Sequence, residues 1–112
     1  MPTIKEITPF EVPAGKDEEF LKGWNAIAEQ VRHTPGVLST QLHESLDPQT
    51  KFRFVAVTEW GAPLLYEAAR SQMNTAFEAL RRAMPFAAYP ASYRIVAAAV
   101  AAVPSPYQMF SP

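Results

Sequence analysis

Residues 52–60 read Phe52-Arg53-Phe54-Val55-Ala56-Val57-Thr58-Glu59-Trp60. This run is rich in β-branched and aromatic residues, which is typical of a strand. Residues 37–46 before it alternate between apolar and polar types, and residues 47–50 between the two runs, Asp-Pro-Gln-Thr, favour a turn. The two runs therefore predict an antiparallel hairpin. One face of its second strand would carry Phe52, Phe54, Ala56, Thr58 and Trp60.

An amphipathic helix is predicted over residues 16–34, because apolar residues recur there at steps of one, three and four. Three carboxylates, at residues 17–19, would lie in its first turn, where they favour the positive end of the helix dipole. Residues 35–36, Pro-Gly, are expected to end it. The apolar stripe consists of Phe20, Leu21, Trp24, Ile27, Ala28 and Val31.

The remaining segments are less regular. Residues 3–12, with Pro9, fit an irregular or edge strand. Pro63 suits the start of a second helical stretch that breaks near Ser71 and continues to Pro85. Residues 93–100 are interpreted as a last strand, although their alanines equally suit a helix. The second half of the helical stretch has the apolar stripe Met73, Phe77, Leu80 and Met84.

The resulting order, βαββαβ, predicts an α+β protein with a ferredoxin-like fold: a four-stranded antiparallel sheet with two helices on one face. Val37, Val55 and Val57 would lie on the other face, which would then expose an apolar patch. We therefore expect a homodimer in which two sheets face each other. Residues 1–103 would form one domain, and the Pro-rich tail 104–112 would lie at the dimer interface.

Composition excludes several classes of function. The chain has 112 residues and a net charge of -1, without a basic stripe, so no nucleic-acid partner is expected. The absence of cysteine excludes disulfides, thiolate metal sites and cysteine nucleophiles. The longest apolar run, residues 95–103, is shorter than the roughly 18 residues that a membrane helix needs. With no visible secretory signal either, the sequence predicts a cytoplasmic protein without a membrane partner.

Five segments follow one another in a recognisable order and spacing: Val12-Pro13-Ala14-Gly15-Lys16, residues 19–24, Pro35-Gly36, residues 42–48, and residues 52–55 leading to Glu59-Trp60. Together they resemble the antibiotic biosynthesis monooxygenase family over about residues 4–100. The resemblance implies a dimeric α+β barrel. The best understood members of the family oxidise polycyclic phenols to quinones with O2 and no metal, flavin or haem, whereas other members degrade haem.

The resemblance assigns the family's pocket tryptophan to Trp60 and the tyrosine six residues later to Tyr66. The family's asparagine four residues before the tryptophan is Ala56 here, so one hydrogen bond to the substrate or O2 would be missing. The family's arginine in the second helix has no unambiguous counterpart, although Arg81 and Arg82 are near. Haem degradation is disfavoured, because the iron-binding histidine of that region has no counterpart after His43.

The resemblance thus implies a cofactor-independent monooxygenase that oxidises a small hydroxylated aromatic or polyketide-like compound, with O2 as co-substrate. Tyr66 would relay a proton, and His43 or Arg53 would stabilise the substrate anion. The rings would be bound by Trp60, Phe54, Trp24 and Phe77. The rival hypothesis is a non-catalytic dimeric binding protein for a small apolar metabolite, which the missing asparagine at Ala56 favours.

Each candidate also has a purely structural interpretation. The aromatic residues are equally typical of a core. His33 would satisfy carbonyls at a helix end, and His43 would be a surface or interface strand residue. Arg53 and Glu59 would form an ion pair along one strand face.

Overall fold

The structure is a computed structural model, and it describes residues 3–61, 63–69 and 85–103. Its elements follow the predicted βαββαβ order, with the last strand in two pieces. The predicted stripe that contains Phe77 and the tail 104–112 lie outside the described residues. The elements are β1 (Ile4–Glu11), α1 (Asp17–Val31), β2 (Val37–Glu44), β3 (Phe54–Trp60), α2 (helical residues 63–69), β4 (Ala87–Ala88) and β5 (Ala91–Tyr93).

The sheet is antiparallel with the order β2-β3-β1-β4, and β5 pairs with β1 beside β4. This topology confirms the ferredoxin-like fold. It also makes β1 central, so the prediction of an irregular or edge strand is wrong. Pro9 is tolerated there because its carbonyl accepts the Tyr89 N–H over 3.0 Å. Proline has no backbone N–H. At this position an N–H would point to the same side of β1 as the Pro9 carbonyl, and on that side the partner strand is interrupted between β4 and β5.

The last strand lies earlier than predicted. It pairs with β1 from Ala87 to Tyr93, whereas residues 94–103 are exposed and have neither helix nor strand. The prediction of a strand over residues 93–100 is therefore wrong. The reason is geometric: Tyr93 lies opposite Lys5, and β1 begins at Ile4, so residues after Tyr93 have almost no strand left to pair with.

The core lies between the sheet and the helices, and it consists of two apolar clusters. The first cluster is centred on Phe20, which is fully buried, stacks on Phe54 at 4.8 Å between ring centroids and meets Phe10 edge to face at 4.9 Å. The second cluster contains Trp60, Tyr66 and Ala69. Along β3, every second side chain from Phe54 to Trp60 is buried, as the hairpin prediction requires.

A β-bulge in β2 changes the predicted faces of that strand. Val37 lies opposite Trp60 and Ser39 opposite Glu59, so Leu38 is the extra residue. Val37 therefore faces the helices and packs against the second cluster. Its predicted position beside Val55 on the other face is wrong, because strict alternation fails at the bulge.

The other face of the sheet, here called the open face, carries no helix among the described residues. Ile7 and Val57 lie opposite each other on it and are half-buried, as is Val55. Lys5 and Glu59 also lie there and form an ion pair at 3.9 Å. Within the three described ranges, no helix has the length and apolar character needed to cross a membrane.

Candidate functional site

The end of β3 and the start of α2 bring two of the predicted site residues together. Trp60 is 1% exposed and Tyr66 is 3% exposed, and their rings meet edge to face with centroids 5.3 Å apart. Gly36 permits this approach of α2: its φ is +92°, and a Cβ there would come within 2.8 Å of the Leu65 Cβ. The connection is fixed further because the Gly61 N–H donates to the Gly36 carbonyl over 2.8 Å.

Both rings of this pair carry a polar group. The Tyr66 hydroxyl is hydrogen-bonded to the Ser92 hydroxyl on β5. The Trp60 Nε1 is buried and has no hydrogen-bond partner among the described residues. Because a buried N–H without a partner is uncommon, this atom is a candidate donor to a ligand oxygen.

Four polar side chains cross the sheet on its helix-facing side, between the two apolar clusters. The Thr40 and Thr58 hydroxyls are 2.9 Å apart and share a hydrogen bond. Thr58 lies opposite Glu6, and Glu6 lies opposite Ser92. We call Thr40, Thr58, Glu6 and Ser92 the polar row. Its last member holds the Tyr66 hydroxyl, so the row ends at the aromatic pair.

Sequence reasoning missed Glu6 and Ser92 as site residues. Ser92 precedes an Ala-rich run that carries no motif, and β5 has only three residues. A signal for Glu6 did exist, since period-two alternation places it on the same face as Ile4 and Phe10. That face becomes the helix-facing side only once the register of β1 with β3 is known.

The other predicted aromatic residues are not beside this pair. Phe54 belongs to the first cluster, and Trp24 packs against that cluster from α1. Along β3, Thr58 of the polar row separates Phe54 from Trp60. Phe77 lies outside the described residues.

His43 lies on the open face, where it is exposed and opposite Val55. Trp60 and Tyr66 lie on the helix-facing side of the sheet. The sheet therefore separates His43 from Tyr66 within one subunit, and the expected cooperation of these two residues does not follow from the geometry.

Arg53 is held by acidic partners near the first turn of α1. Its guanidinium donates to Asp17 over 3.2 Å and to the Ser45 carbonyl over 3.0 Å, and it also forms an ion pair with Glu44. Burial lowers the pKa of Arg53, but the hydrogen bond to Asp17 and the charges of Glu44 and Asp17 outweigh this effect and raise it. The predicted pair of Arg53 with Glu59 is wrong, because Glu59 faces Lys5.

The remaining histidine lies at the end of α1. His33 Nε2 is 3.3 Å from a Glu29 carboxylate oxygen, while its backbone N–H donates to the Gln30 carbonyl. The hydrogen bond with His33, followed by the charge of Arg32, lowers the pKa of Glu29. In the part of the chain that the structure describes, no three metal-ligating side chains come together.

The model of the antibiotic biosynthesis monooxygenase family matches residues 3–61, just over half of the chain. No curated protein matches the chain significantly.

Several solved structures are similar to this chain. A candidate monooxygenase from Shewanella loihica PV-4 is 30% identical, with a TM-score of 0.73, over 88% of this chain and 99% of that one. The haem degrader MhuD from Mycobacterium tuberculosis, solved with two haems in its active site, is 27% identical, with a TM-score of 0.66, over 87% and 99%. SnoaB, a cofactor-independent oxygenase from Streptomyces nogalater, is 16% identical, with a TM-score of 0.66, over 93% and 97%. At that identity the likeness to SnoaB concerns the fold alone.

Proposed function

The chain belongs to the antibiotic biosynthesis monooxygenase family, and from that premise we propose that it oxidises a small hydroxylated aromatic compound with O2 and without a cofactor. One observation carries the proposal: Trp60 and Tyr66 form a buried pair that presents an indole N–H and a phenol hydroxyl at the same end of the sheet. Aromatic walls with a few convergent polar groups are typical of sites for flat, partly polar ligands.

The pair offers both packing and orientation to such a ligand. An aromatic ring against Trp60 gains the edge-to-face or stacked contacts that such rings prefer. A ligand oxygen at the Trp60 Nε1 would satisfy a buried donor that has no partner among the described residues, and leaving such a donor unpaired costs about 1–3 kcal/mol. The Tyr66 hydroxyl, fixed by Ser92, would lie at the ligand's own hydroxyl group.

The proposed chemistry uses the reducing power of the substrate itself. Loss of the phenolic proton gives a phenolate, which transfers one electron to O2 and leaves a phenoxyl radical and superoxide. Their combination at a ring carbon forms a peroxide anion, which takes back the proton that the phenol lost to become a hydroperoxide, and loss of water then gives the quinone. One phenol and one O2 thus yield one quinone and one water. The protein contributes orientation, exclusion of water and a proton path through Tyr66.

The direct test is oxygen-dependent turnover. A panel of mono- and polycyclic phenols is incubated with the protein in air and under argon, while O2 uptake and quinone absorbance are recorded. We expect quinone formation and matching O2 uptake in air only. A panel that binds but is never oxidised would contradict the proposed activity.

The alternative is a non-catalytic protein that binds a small apolar metabolite, and Ala56 favours it. Ala56 is buried in the first cluster, where its methyl group offers no hydrogen bond to a substrate or to O2. The Ala56→Asn variant separates the two functions, with Ala56→Val as a control for added volume. If the chain is an oxygenase, the asparagine should raise the rate of quinone formation more than the valine does.

A haem-degrading function has less support from the residues. The chain has two histidines, and both are exposed: His33 contacts Glu29 on α1, and His43 lies on the open face of the sheet. The region after β3 therefore has no histidine that would bind iron. Titration with haem checks this: we expect no Soret shift typical of histidine ligation.

We also infer that the chain acts as a homodimer whose open faces meet. In one chain alone, Ile7, Val55 and Val57 stay partly exposed on that face. Residues 94–103, which follow β5 in the chain, add exposed apolar side chains, since Val96 is 85% and Val100 is 96% exposed. A second copy of the same chain would cover this surface.

A further inference from the structure

Residues 94–103, here called the arm, form an exposed apolar segment directly after β5. Nine of these ten residues are Ala, Val or Ile, and all ten are exposed. Val100 is 96% exposed and Ile95 is 61% exposed. Single apolar side chains in solvent are normal on a protein surface, but a contiguous run of them marks a site of interaction.

The arm has the sequence pattern of a strand that is covered on both faces. In an extended chain, alternate side chains point to opposite sides, so Val96 and Val100 would share one side and Ile95 and Val103 the other. Apolar residues thus line both sides, as they do in strands that have no face in water. Within its own chain the arm is in no strand, because β1 begins at Ile4 and leaves almost no strand for it to pair with.

The opposite margin of the sheet offers a backbone that can pair with such a strand. β2 is paired with β3 on one side, and no strand of the described residues lies on its other side. Its pairing is regular from Ser39 to Glu44, after the bulge at Leu38. Outer strands are often protected by lysine or proline, and β2 contains neither. The outer N–H and C=O groups of this edge can therefore bind an added strand.

We propose that the arm of one chain pairs, as an added strand, with the outer edge of β2 in a second copy of the same chain. In this mode of binding the main-chain hydrogen bonds supply the affinity. The arm is long enough, because its ten extended residues span roughly 33 Å and the six from Ser39 to Glu44 span roughly 20 Å. The inference rests on the homodimer proposed above and adds a second contact to the one between the open faces.

A second copy is the occupant that the chain itself favours. Each copy has one arm outside its own sheet and one β2 edge without a described neighbour. Two copies related by a two-fold axis would exchange both arms at once, so that neither an arm nor an edge is left over. Within one chain, β5 and β2 lie on opposite margins of the sheet, with β1 and β3 between them. The arm would have to cross two strands to reach its own β2.

Engineered cysteines test the pairing directly, because the chain has no cysteine of its own. Gln41→Cys places one thiol at an exposed position in the middle of the regular edge of β2, and a second cysteine is placed at each of residues 95–102 in turn. Under mild oxidation we expect covalent dimers whose yield alternates along the arm, since alternate side chains of a strand face opposite sides and a disulfide requires neighbouring Cβ atoms.

Two controls accompany the cysteine scan. Leu64→Cys in place of Gln41→Cys should give no covalent dimer with any arm cysteine, because Leu64 is exposed on α2 and not on the β2 edge. The arm cysteines alone, without a second cysteine, show how often two arms join each other.

A charge in the arm gives a second measurement that needs no cysteine. Val96 and Leu64 are both 85% exposed in one chain, so an aspartate at either position would remain in water if the arm bound nothing. When the arm is paired with a second copy, Val96→Asp should raise the dimer dissociation constant at least about tenfold, because a buried carboxylate without a partner is costly. Leu64→Asp should leave it unchanged. Sedimentation over a range of concentrations measures both constants, and this pair of variants still tests the exchange if a cysteine variant fails to fold.

The outcomes separate the exchange of arms from the dimer itself. Alternating covalent dimers and a weaker dimer in Val96→Asp support the exchange. A wild-type dimer with a yield that does not alternate, or with equal dissociation constants in Val96→Asp and Leu64→Asp, overturns the exchange and leaves a dimer through the open faces. Disulfides within one chain would place the arm on its own β2 and overturn it as well. A wild type that stays monomeric at micromolar concentration overturns both the dimer and the exchange.

Discussion

The Arg53 guanidinium donates to the Asp17 carboxylate over 3.2 Å and so ties the start of β3 to the first turn of α1. The same guanidinium binds the Ser45 carbonyl and Glu44, which come from the end of β2 and the loop after it. We expect Arg53→Met to lower the urea midpoint of unfolding, because three segments lose a shared partner. High salt should reduce the difference from the wild type, since it screens exposed charges.

Arg32→Met is the matched control for this prediction. Arg32 pairs only with Glu29, one turn away on the same helix, among the described residues. Isolated surface pairs of this kind contribute little to stability. Equal midpoints for the two variants would contradict the idea that Arg53 joins separate elements.

The close approach of α2 to Gly36 predicts a large effect of a single methyl group. Gly36 and Gly15 both have positive φ, +92° and +84°, so alanine at either position meets the roughly 1–2 kcal/mol strain of a left-handed conformation. At Gly15 a Cβ meets nothing within 4 Å, whereas at Gly36 it meets the Leu65 Cβ at 2.8 Å. Gly36→Ala should therefore destabilise the protein by about 1–3 kcal/mol more than Gly15→Ala, the typical cost of overpacking.

Chemical denaturation of both glycine variants measures this difference. At residue 36 the added Cβ would meet Leu65, which directly precedes Tyr66 in α2. Binding of a phenol should therefore also weaken in Gly36→Ala and not in Gly15→Ala. A stability loss of equal size in both variants would mean that α2 moves away from residue 36 without difficulty.

The sequence predicted the elements whose patterns are long and unambiguous. The stripe from Phe20 to Val31 places α1 correctly, and Asp47 forms the expected turn by accepting the Gln49 N–H over 2.9 Å. Alternation also predicted which side chains of β3 are buried. These features depend on local periodicity and turn chemistry, which one segment shows by itself.

The features that the sequence did not predict depend on pairing between distant strands. The bulge at Leu38 turns Val37 towards Trp60, and nothing in the alternation of residues 37–46 marks it. Glu6 and Ser92 become neighbours only through the register of β1 with β5. The position of β5 also depends on pairing, because β5 can extend only as far as the start of β1. Local periodicity does not contain this limit, and the strand predicted over residues 93–100 therefore lies too late in the chain.

The apolar side chains of the open face predict a dimer in solution, which light scattering at micromolar concentration would detect. Val57→Asp should raise the dimer dissociation constant at least about 100-fold, because burying an unpaired carboxylate costs several times the roughly 1.4 kcal/mol that a factor of ten requires. Leu64→Asp is the control: Leu64 is 85% exposed on α2, on the helix side of the sheet. A stable monomer of wild-type protein, or equal effects of both variants, would contradict an interface on the open face.

The buried indole N–H of Trp60 gives the last prediction, which separates ligand binding from stability. Trp60→Phe keeps an aromatic ring near Tyr66 but removes Nε1, which has no partner among the described residues. Because no described hydrogen bond is lost, Trp60→Phe should destabilise the protein less than Trp60→Ala, for which we expect about 3–5 kcal/mol.

If a ligand oxygen accepts from Nε1, phenol affinity should fall about tenfold or more in Trp60→Phe, because a hydrogen bond contributes about 1.4 kcal/mol. Trp24→Phe, in the first cluster, should leave affinity unchanged. Binding titrations and denaturation curves of the three variants decide between the outcomes, and unchanged affinity in Trp60→Phe would show that Trp60 serves the core alone.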